Sequence, residues 1–177
     1  MNNETFELFF SMLSVALLAG TLVVLFARML YSRSTSARSI VDAFAPWALP
    51  LAAAVTTTCA LGSLYFSEIV NYKPCIMCWY QRTMMYPLAV ILIVAALTKD
   101  KKIWRYATPL AAIGIVFSTY HWFLERFPNL DAGVCDVEVP CEFVWFENFG
   151  FVTLPFMALT GFLAVLVFTT LPNTQKE

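Results

Sequence analysis

Hydrophobic positions in this chain gather into five long blocks separated by polar joints. The blocks run roughly from Leu8 to Ala27, Trp47 to Phe66, Met77 to Leu97, Ile103 to Leu124 and Phe151 to Leu171. Each holds about 20 residues, and an α-helix rising ~1.5 Å per residue then covers the ~30 Å hydrocarbon core of a bilayer. The blocks are too long for barrel strands and lack the alternation such strands need, so helices are the spanning elements they predict. Pro46, Pro87, Pro109 and Pro155 fall in or near the blocks, which membrane helices tolerate better than soluble ones. The joint over residues 125–150 is longer than the others. The pattern predicts an all-α membrane protein. The spans divide into one N-terminal transmembrane helix with a cytoplasmic loop over residues 1–45 and a four-helix transmembrane bundle over residues 46–177.

Composition strengthens this reading. The chain is 60% hydrophobic and 13% charged, with a mean hydropathy of +0.71, whereas soluble domains are about a quarter charged. The basic residues form no long patch or stripe, so a nucleic acid is not expected as a partner and the lipid bilayer is. A net charge of −1 hides a bias along the chain. With the N-terminus outside, the inner segments carry Arg28, Arg33, Arg38, Lys99, Lys101, Lys102, Arg105 and Lys176, eight of the eleven basic residues. The outer segments receive nine of the twelve acids, among them Glu125, Asp136 and Glu147, and this is the orientation that the positive-inside rule favours. MNNETFE has no positive leader and Arg28 follows the first block, so that block is expected to remain as an anchor rather than to be cleaved.

This topology sets the five cysteines. Cys75 and Cys78 lie at the outer start of the third block, and Cys135 and Cys141 lie in the long outer joint. All four face the side where disulfides form and persist. Cys59, inside the second block, reads as a small buried apolar residue. For the other four, the residues alone leave three readings open: structural staples, a four-sulfur metal site, and thiol–disulfide exchange. A Cys-x-x-Cys closes too small a ring to stabilise much through chain entropy. An oxidising compartment and a five-residue gap in the second pair argue against a metal, so none is expected. Exchange suits the motif best, because one thiolate can be made acidic while the other resolves.

The stretch KPCIMCWYQR over residues 73–82 adds a charge to the dithiol. Pro74 is expected near the first helical position, which puts Cys75 and Cys78 in a first turn whose free N–H groups favour a thiolate. Arg82 follows Cys78 by four residues and shares its face. It either snorkels to the headgroups or stabilises a thiolate while polarising an oxygen of a bound molecule. Gln81 and Tyr80 adjoin it, and the outward-running fourth block brings Ser118 to His121 to the same depth. His121, the only histidine, is expected to hydrogen-bond that molecule or to supply a proton. The chain shows no haem or iron–sulfur ligand set and no Gly-rich nucleotide loop. Elimination then leaves a lipid-dissolved two-electron acceptor, a quinone, which needs only an apolar slot and a few polar contacts.

K-P-C-x-x-C-x-Y-x-R opening a membrane helix is similar to the DsbB/BdbC disulfide bond formation proteins of bacteria. So is a second cysteine pair in the next outer loop, followed by Asn148-Phe149-Gly150-Phe151 and by Pro155. The resemblance covers about residues 46–171. It implies a membrane thiol-disulfide oxidoreductase in the bacterial inner (cytoplasmic) membrane. Such an enzyme reoxidises a DsbA/BdbD-like thioredoxin-fold thiol oxidase and passes the electrons to ubiquinone or menaquinone. Carried over by motif position, Cys75 and Cys78 become the quinone-facing pair, with Cys78 as the thiolate that meets the ring. Arg82, with Gln81 and His121 beside it, becomes the quinone contact, and Cys135 and Cys141 become the pair that exchanges with the soluble partner. The first block is extra to the family, the gap between the loop cysteines is short as in BdbC-type members, and Gln81 stands where some members have an acid. The short gap leaves open which loop cysteine the partner attacks. A vitamin K epoxide reductase-like enzyme and a disulfide-stapled scaffold are the alternatives.

In the loop, Asn129, Asp131, Gly133 and Pro140 predict adaptable backbone. Phe143, Val144, Trp145 and Phe146 predict an apolar patch, either in the membrane interface or buried against the bundle.

Overall fold

A helix hydrophobic on all sides satisfies its own backbone and leaves its side chains free to pack or to meet lipid. Each apolar block follows this rule in the computed structural model, which describes residues 3–100, 102–131, 133–135 and 138–174, with side chains through residue 171. The α-helices are α1 (Asn3–Met29), α2 (Thr35–Phe44), α3 (Ala48–Leu64), α4 (Ile76–Thr98), α5 (Trp104–Arg126) and α6 (Leu154–Thr174). Five stretches are long and apolar enough to cross a membrane: Asn3–Met29, Thr35–Ile69, Ile76–Thr98, Trp104–Arg126 and Leu154–Leu171. No strand forms among the described residues. The protein is an all-α membrane protein, as the block pattern predicts.

The joint after the first block contains more structure than the pattern implies. Ser34 caps α2, its hydroxyl accepting from the N–H of Ala37, and Ala37 and Val41 turn inward one helical turn apart. A 3₁₀ turn, Ala45–Trp47, then carries the chain into α3. The signal was there in a serine cap with an apolar i, i+4 pair, but ten residues are too few for a spanning block. At its other end α3 widens into a π turn, Tyr65–Ile69, with the N–H of Val70 donating to the carbonyl of Tyr65.

The centre of the bundle is α6. Its apolar window is 61% buried against 22% for that of α1, so α6 is surrounded while α1 lies at the edge. Leu88, Leu92, Phe162, Val165 and Leu171 are fully enclosed, whereas Val90, Val94 and Val116 point outward as lipid-facing residues do. Lipid tails are as apolar as these side chains, so close helix approach rather than water exclusion must hold the bundle, and small residues permit it. A Cβ on Gly114 of α5 would sit 2.3 Å from the Phe162 ring of α6, and one on Gly161 of α6 would sit 2.8 Å from the Cys59 sulfur of α3.

Arg28, Arg33, Arg38, Lys99, Lys102 and Arg105 lie at one end of the bundle, in the α1–α2 and α4–α5 connections. The four paired cysteines lie at the other end. Lys101, Asp136 and Lys176, which entered the charge argument, fall outside the described residues.

Gly114→Ala is expected to lower stability by about 1–3 kcal/mol, because the Phe162 ring must leave its place in a packed interior. Gly20→Ala, where nothing lies within 4 Å of the added carbon, is expected to be close to neutral. Thermal unfolding of both variants in detergent checks the contrast.

Candidate functional site

The chain enters α4 through Lys73, Pro74 and Cys75. Proline fixes its own φ and biases the residue before it toward extended backbone, and the helix begins at Ile76, two residues later than the sequence suggests. Cys75 is the cap itself, with φ −74° and ψ 174°, and its sulfur accepts from the N–H of Cys78. Pro74 therefore precedes the cap instead of opening the helix. The two sulfurs stand 3.3 Å apart as a free dithiol. Cys75 is buried, and Cys78 is partly open. The Cys78 thiol donating to it, opposed by burial and helped by His121, draws the Cys75 thiol down to about 4. The sequence assigned the anionic sulfur to Cys78; in this reduced state the geometry favours Cys75.

His121 of α5 is the second fixed point. Its Nε2 lies 3.1 Å from the carbonyl oxygen of Cys141 and 3.6 Å from the sulfur of Cys75. Its Nδ1 lies 3.0 Å from Nε2 of Gln81. A carbonyl can only accept, so His121 Nε2 carries the proton and Nδ1 accepts from the Gln81 amide. One imidazole N–H thus faces the loop pair and the helix pair together. Cys75, Met77, Leu124 and Cys141 form a buried cluster with Cys78 and Cys135 packed against it, so the four sequence-predicted cysteines meet at one place. Cys75, Cys78 and His121 offer ligand atoms within 4.8 Å of one another, a spacing that a soft cation could bridge until the two sulfurs join.

Cys135 and Cys141 are joined by a disulfide, with Cα atoms 5.7 Å apart. Cys141 is 1% exposed, while Cys135 is half-buried. The loop's apolar patch divides. Trp145 stacks on Tyr72 at 4.5 Å between ring centroids and Phe146 packs on Phe66, so both bury against the bundle, whereas Phe143 stays exposed. Burial and the bond to Glu7 push the Tyr72 hydroxyl up to about 12, which keeps it a donor. The Asn148-Phe149-Gly150-Phe151 motif folds into a tight turn through positive φ at Phe149 and Gly150. Asn148 and Val152 exchange backbone hydrogen bonds across it.

Arg82 does not simply reach for the headgroups. Its Nε donates to the Ser63 hydroxyl at 2.9 Å and its Nη2 to the Ser63 carbonyl at 3.0 Å, two residues before the π turn. Its guanidinium also lies 5.4 Å from the Trp79 ring centroid. Beside it opens a cavity of about 270 Å³, lined by Cys78, Gln81, Arg82, Lys73, Ser63 and largely apolar side chains of α1, α3, α4 and α6. The cavity-lining residues do not include His121, so of the three expected contacts to a bound molecule Arg82 and Gln81 face the cavity and His121 sits behind them. Ser63 escaped the sequence reading, although a Gly-Ser pair inside an apolar helix marks a place where the backbone ladder can open. Glu125, counted there only as an outer acid, has a side chain only 4% exposed and accepts from the Thr153 hydroxyl at 2.6 Å.

Comparison with known proteins decides the family. Residues 45–171 match the model of the disulfide bond formation protein DsbB. The chain belongs to the DsbB family. Disulfide bond formation protein C of Bacillus subtilis (strain 168) is 40% identical over 140 residues, 78% of this chain and 96% of that protein. A probable disulfide formation protein C 1 of Bacillus cereus is 45% identical over 108 residues, 60% of this chain and 78% of its own. A probable disulfide formation protein C of Halalkalibacterium halodurans is 44% identical over 120 residues, 67% and 88% respectively. No solved structure matches. As a DsbB-family member this is a multi-pass membrane protein of disulfide bond formation with disulfide oxidoreductase activity, which removes the inert scaffold as an alternative. The match begins at residue 45, after α1 and α2.

In the reduced protein, one thiolate absorbance is expected to persist at neutral pH and to fade only as the pH falls toward about 4. Cys78→Ala removes the first donor to that sulfur and is expected to move the fade upward in pH, and Cys75→Ser to abolish it. An ultraviolet pH titration of the three proteins measures this.

Proposed function

We propose that the protein carries electrons from a DsbA/BdbD-like thioredoxin-fold thiol oxidase to a membrane quinone. The observation that carries the reading is the meeting of the two cysteine pairs at His121, with Cys78 opening onto the cavity beside Arg82. The orientation that goes with it sets the cysteines and the N-terminus on the extracytoplasmic side of the bacterial cytoplasmic membrane. Its support is the gathering of six of the nine described basic residues at the opposite end.

The cavity suits a quinone. Its volume lies near the lower end of small-molecule pockets, about 300 Å³, so a ring fits with its tail trailing into lipid. Arg82, Gln81 and Lys73 supply donors at the dithiol end. Tyr86 lines the deeper wall, and its buried hydroxyl lacks a hydrogen-bond partner among the described residues, which leaves it free for a ligand oxygen. A bound quinone supplies a two-electron, two-proton acceptor.

The chain's own residues do the exchange. The partner's thiolate attacks Cys135, the more accessible loop sulfur. The Cys135–Cys141 bond breaks, and Cys141 is released as a thiolate beside Cys75. With the helix pair oxidised, Cys141 attacks Cys75, and Cys78 leaves as a thiolate on the cavity wall beside the Arg82 charge. The partner's second thiolate releases Cys135, which attacks the Cys141–Cys75 bond, restores the loop disulfide and frees Cys75. The sum is one disulfide made in the partner and one dithiol left at Cys75 and Cys78. Through this sequence the His121 N–H holds the Cys141 backbone in reach and stabilises charge on Cys75.

The test uses membranes containing the protein, a reduced partner and added ubiquinone or menaquinone. Cys78→Ser is expected to abolish quinone reduction, and its persistence would sink the assignment. Arg82→Ala is expected to raise the apparent KM for quinone about tenfold, ~1.4 kcal/mol, while exchange at the loop pair survives. Cys75→Ser keeps the loop disulfide but removes the acceptor for Cys141, so with a reduced partner lacking its second active-site cysteine a mixed disulfide between Cys135 and the partner is expected to accumulate, visible on a non-reducing gel.

A further inference from the structure

We propose that α1, the helix outside the family's core, is a wall of the quinone cavity and helps to determine which quinone the protein accepts. This rests on the quinone reading above.

Phe10, Leu13, Ser14 and Leu17 line the same cavity as Cys78 and Arg82. They stand at i, i+3, i+4 and i+7, which is one face of one helix. Leu17 also packs against the bundle core, so the face that holds α1 on the bundle is the face that closes the cavity. α1 is also fastened, end to end, with its polar ties inside an apolar setting. The Tyr72 hydroxyl donates to Glu7, the Asn148 amide donates to the Ser11 hydroxyl at 2.9 Å, and Arg28 donates to Thr170 of α6. The first two ties join α1 to the chain just before the dithiol and to the turn that closes the redox loop. Between them, Phe10 rests on Gly62 of α3, where a Cβ would come within 3.2 Å of the ring. The Phe10 ring also meets Phe66 edge-on.

Depth fixes what this wall touches. Along α4 the cavity runs from Cys78 to Tyr86, two turns or about 12 Å at the helical rise. Along α1 it runs from Phe10 to Leu17, about 10 Å by the same rise. The two helices therefore face each other over nearly the whole depth of the cavity. Phe10 stands toward the dithiol end, where Arg82 marks the ring, and Leu17 stands toward Tyr86 and the tail. Leu13 still keeps 42% exposure, which puts it at the rim where the cavity meets lipid. Ser14 is buried and is the polar side chain that α1 contributes to the wall.

The experiment uses the full chain in membranes with two readouts. Photolabelling with azido-ubiquinone and azido-menaquinone analogues is expected to attach probe to a peptide containing residues 10–17 as well as to α4. In Leu17→Trp, which fills the deep end, the apparent KM for quinone is expected to rise about tenfold, with exchange between partner and loop disulfide unchanged. Met12→Trp, on the exposed face of α1, is expected to match wild type. Label confined to α3, α4 and α6 peptides, or wild-type quinone kinetics in Leu17→Trp, overturns the role of α1 while leaving the quinone reading intact. A wild-type protein that neither takes the probe nor reduces quinone overturns the quinone reading, and this inference with it.

Discussion

The bond from His121 to the Cys141 carbonyl joins a loop to a helix bundle at the one position where that junction matters chemically. The imidazole is 3% exposed, so each of its nitrogens must find a partner in the protein or cost about 1–3 kcal/mol. Gln81 satisfies one nitrogen, and the Cys141 carbonyl together with the Cys75 sulfur satisfies the other. Lifting the loop's buried cysteine away therefore removes the nearer acceptor of that imidazole N–H and leaves it to the Cys75 sulfur alone. Loop docking and the environment of the Cys75 thiol are thus coupled through one imidazole nitrogen.

The bilayer imposes the rest. Its core forbids unsatisfied backbone, which makes every crossing a helix and confines irregular chain to the two ends. One end takes the basic connections. The other collects the cap of α4, the π turn after α3, the tight turn before α6 and the disulfide loop. Irregular backbone is where side chains can be aimed, so the chemistry gathers at that end. The Arg82 charge lies nearly two turns into α4 and is held by the Ser63 oxygens and the Trp79 face, which distributes it among acceptors and a ring rather than leaving it bare in lipid.

Much of this was legible in the residues. The five blocks are nearly the five spanning stretches, because hydropathy over twenty residues reports the one constraint that dominates in lipid. Cys75, Cys78 and Arg82 were readable from spacing along a single helix. Three things were not. α2 is too short to register as a block. The cap falls at Cys75 instead of before Pro74, a shift of two residues that turns on whether a cysteine sulfur can do a serine's work. His121 and Arg82 were expected side by side; the helix faces turn one toward the cysteines and the other toward the cavity. Which face a residue takes depends on the rotation of α5 against α4, and close packing at Gly114 and Phe162 sets α5 against α6 without leaving a trace in any local motif.

The two limbs of the redox loop are secured unequally. On the return limb Arg126 reaches Glu147 and the Phe151 carbonyl while lying 4.0 Å from the Trp122 ring, and Trp145 and Phe146 are wedged among the aromatics of the bundle. The limb leading to Cys135 leans on short-range bonds at Asp131 and on a tie from Tyr120 to the Leu130 carbonyl. Among the described residues the longer-range ties therefore gather on the return limb, which stays registered over α4 while the Cys75 sulfur lies buried, out of reach of a stray thiol from the surroundings.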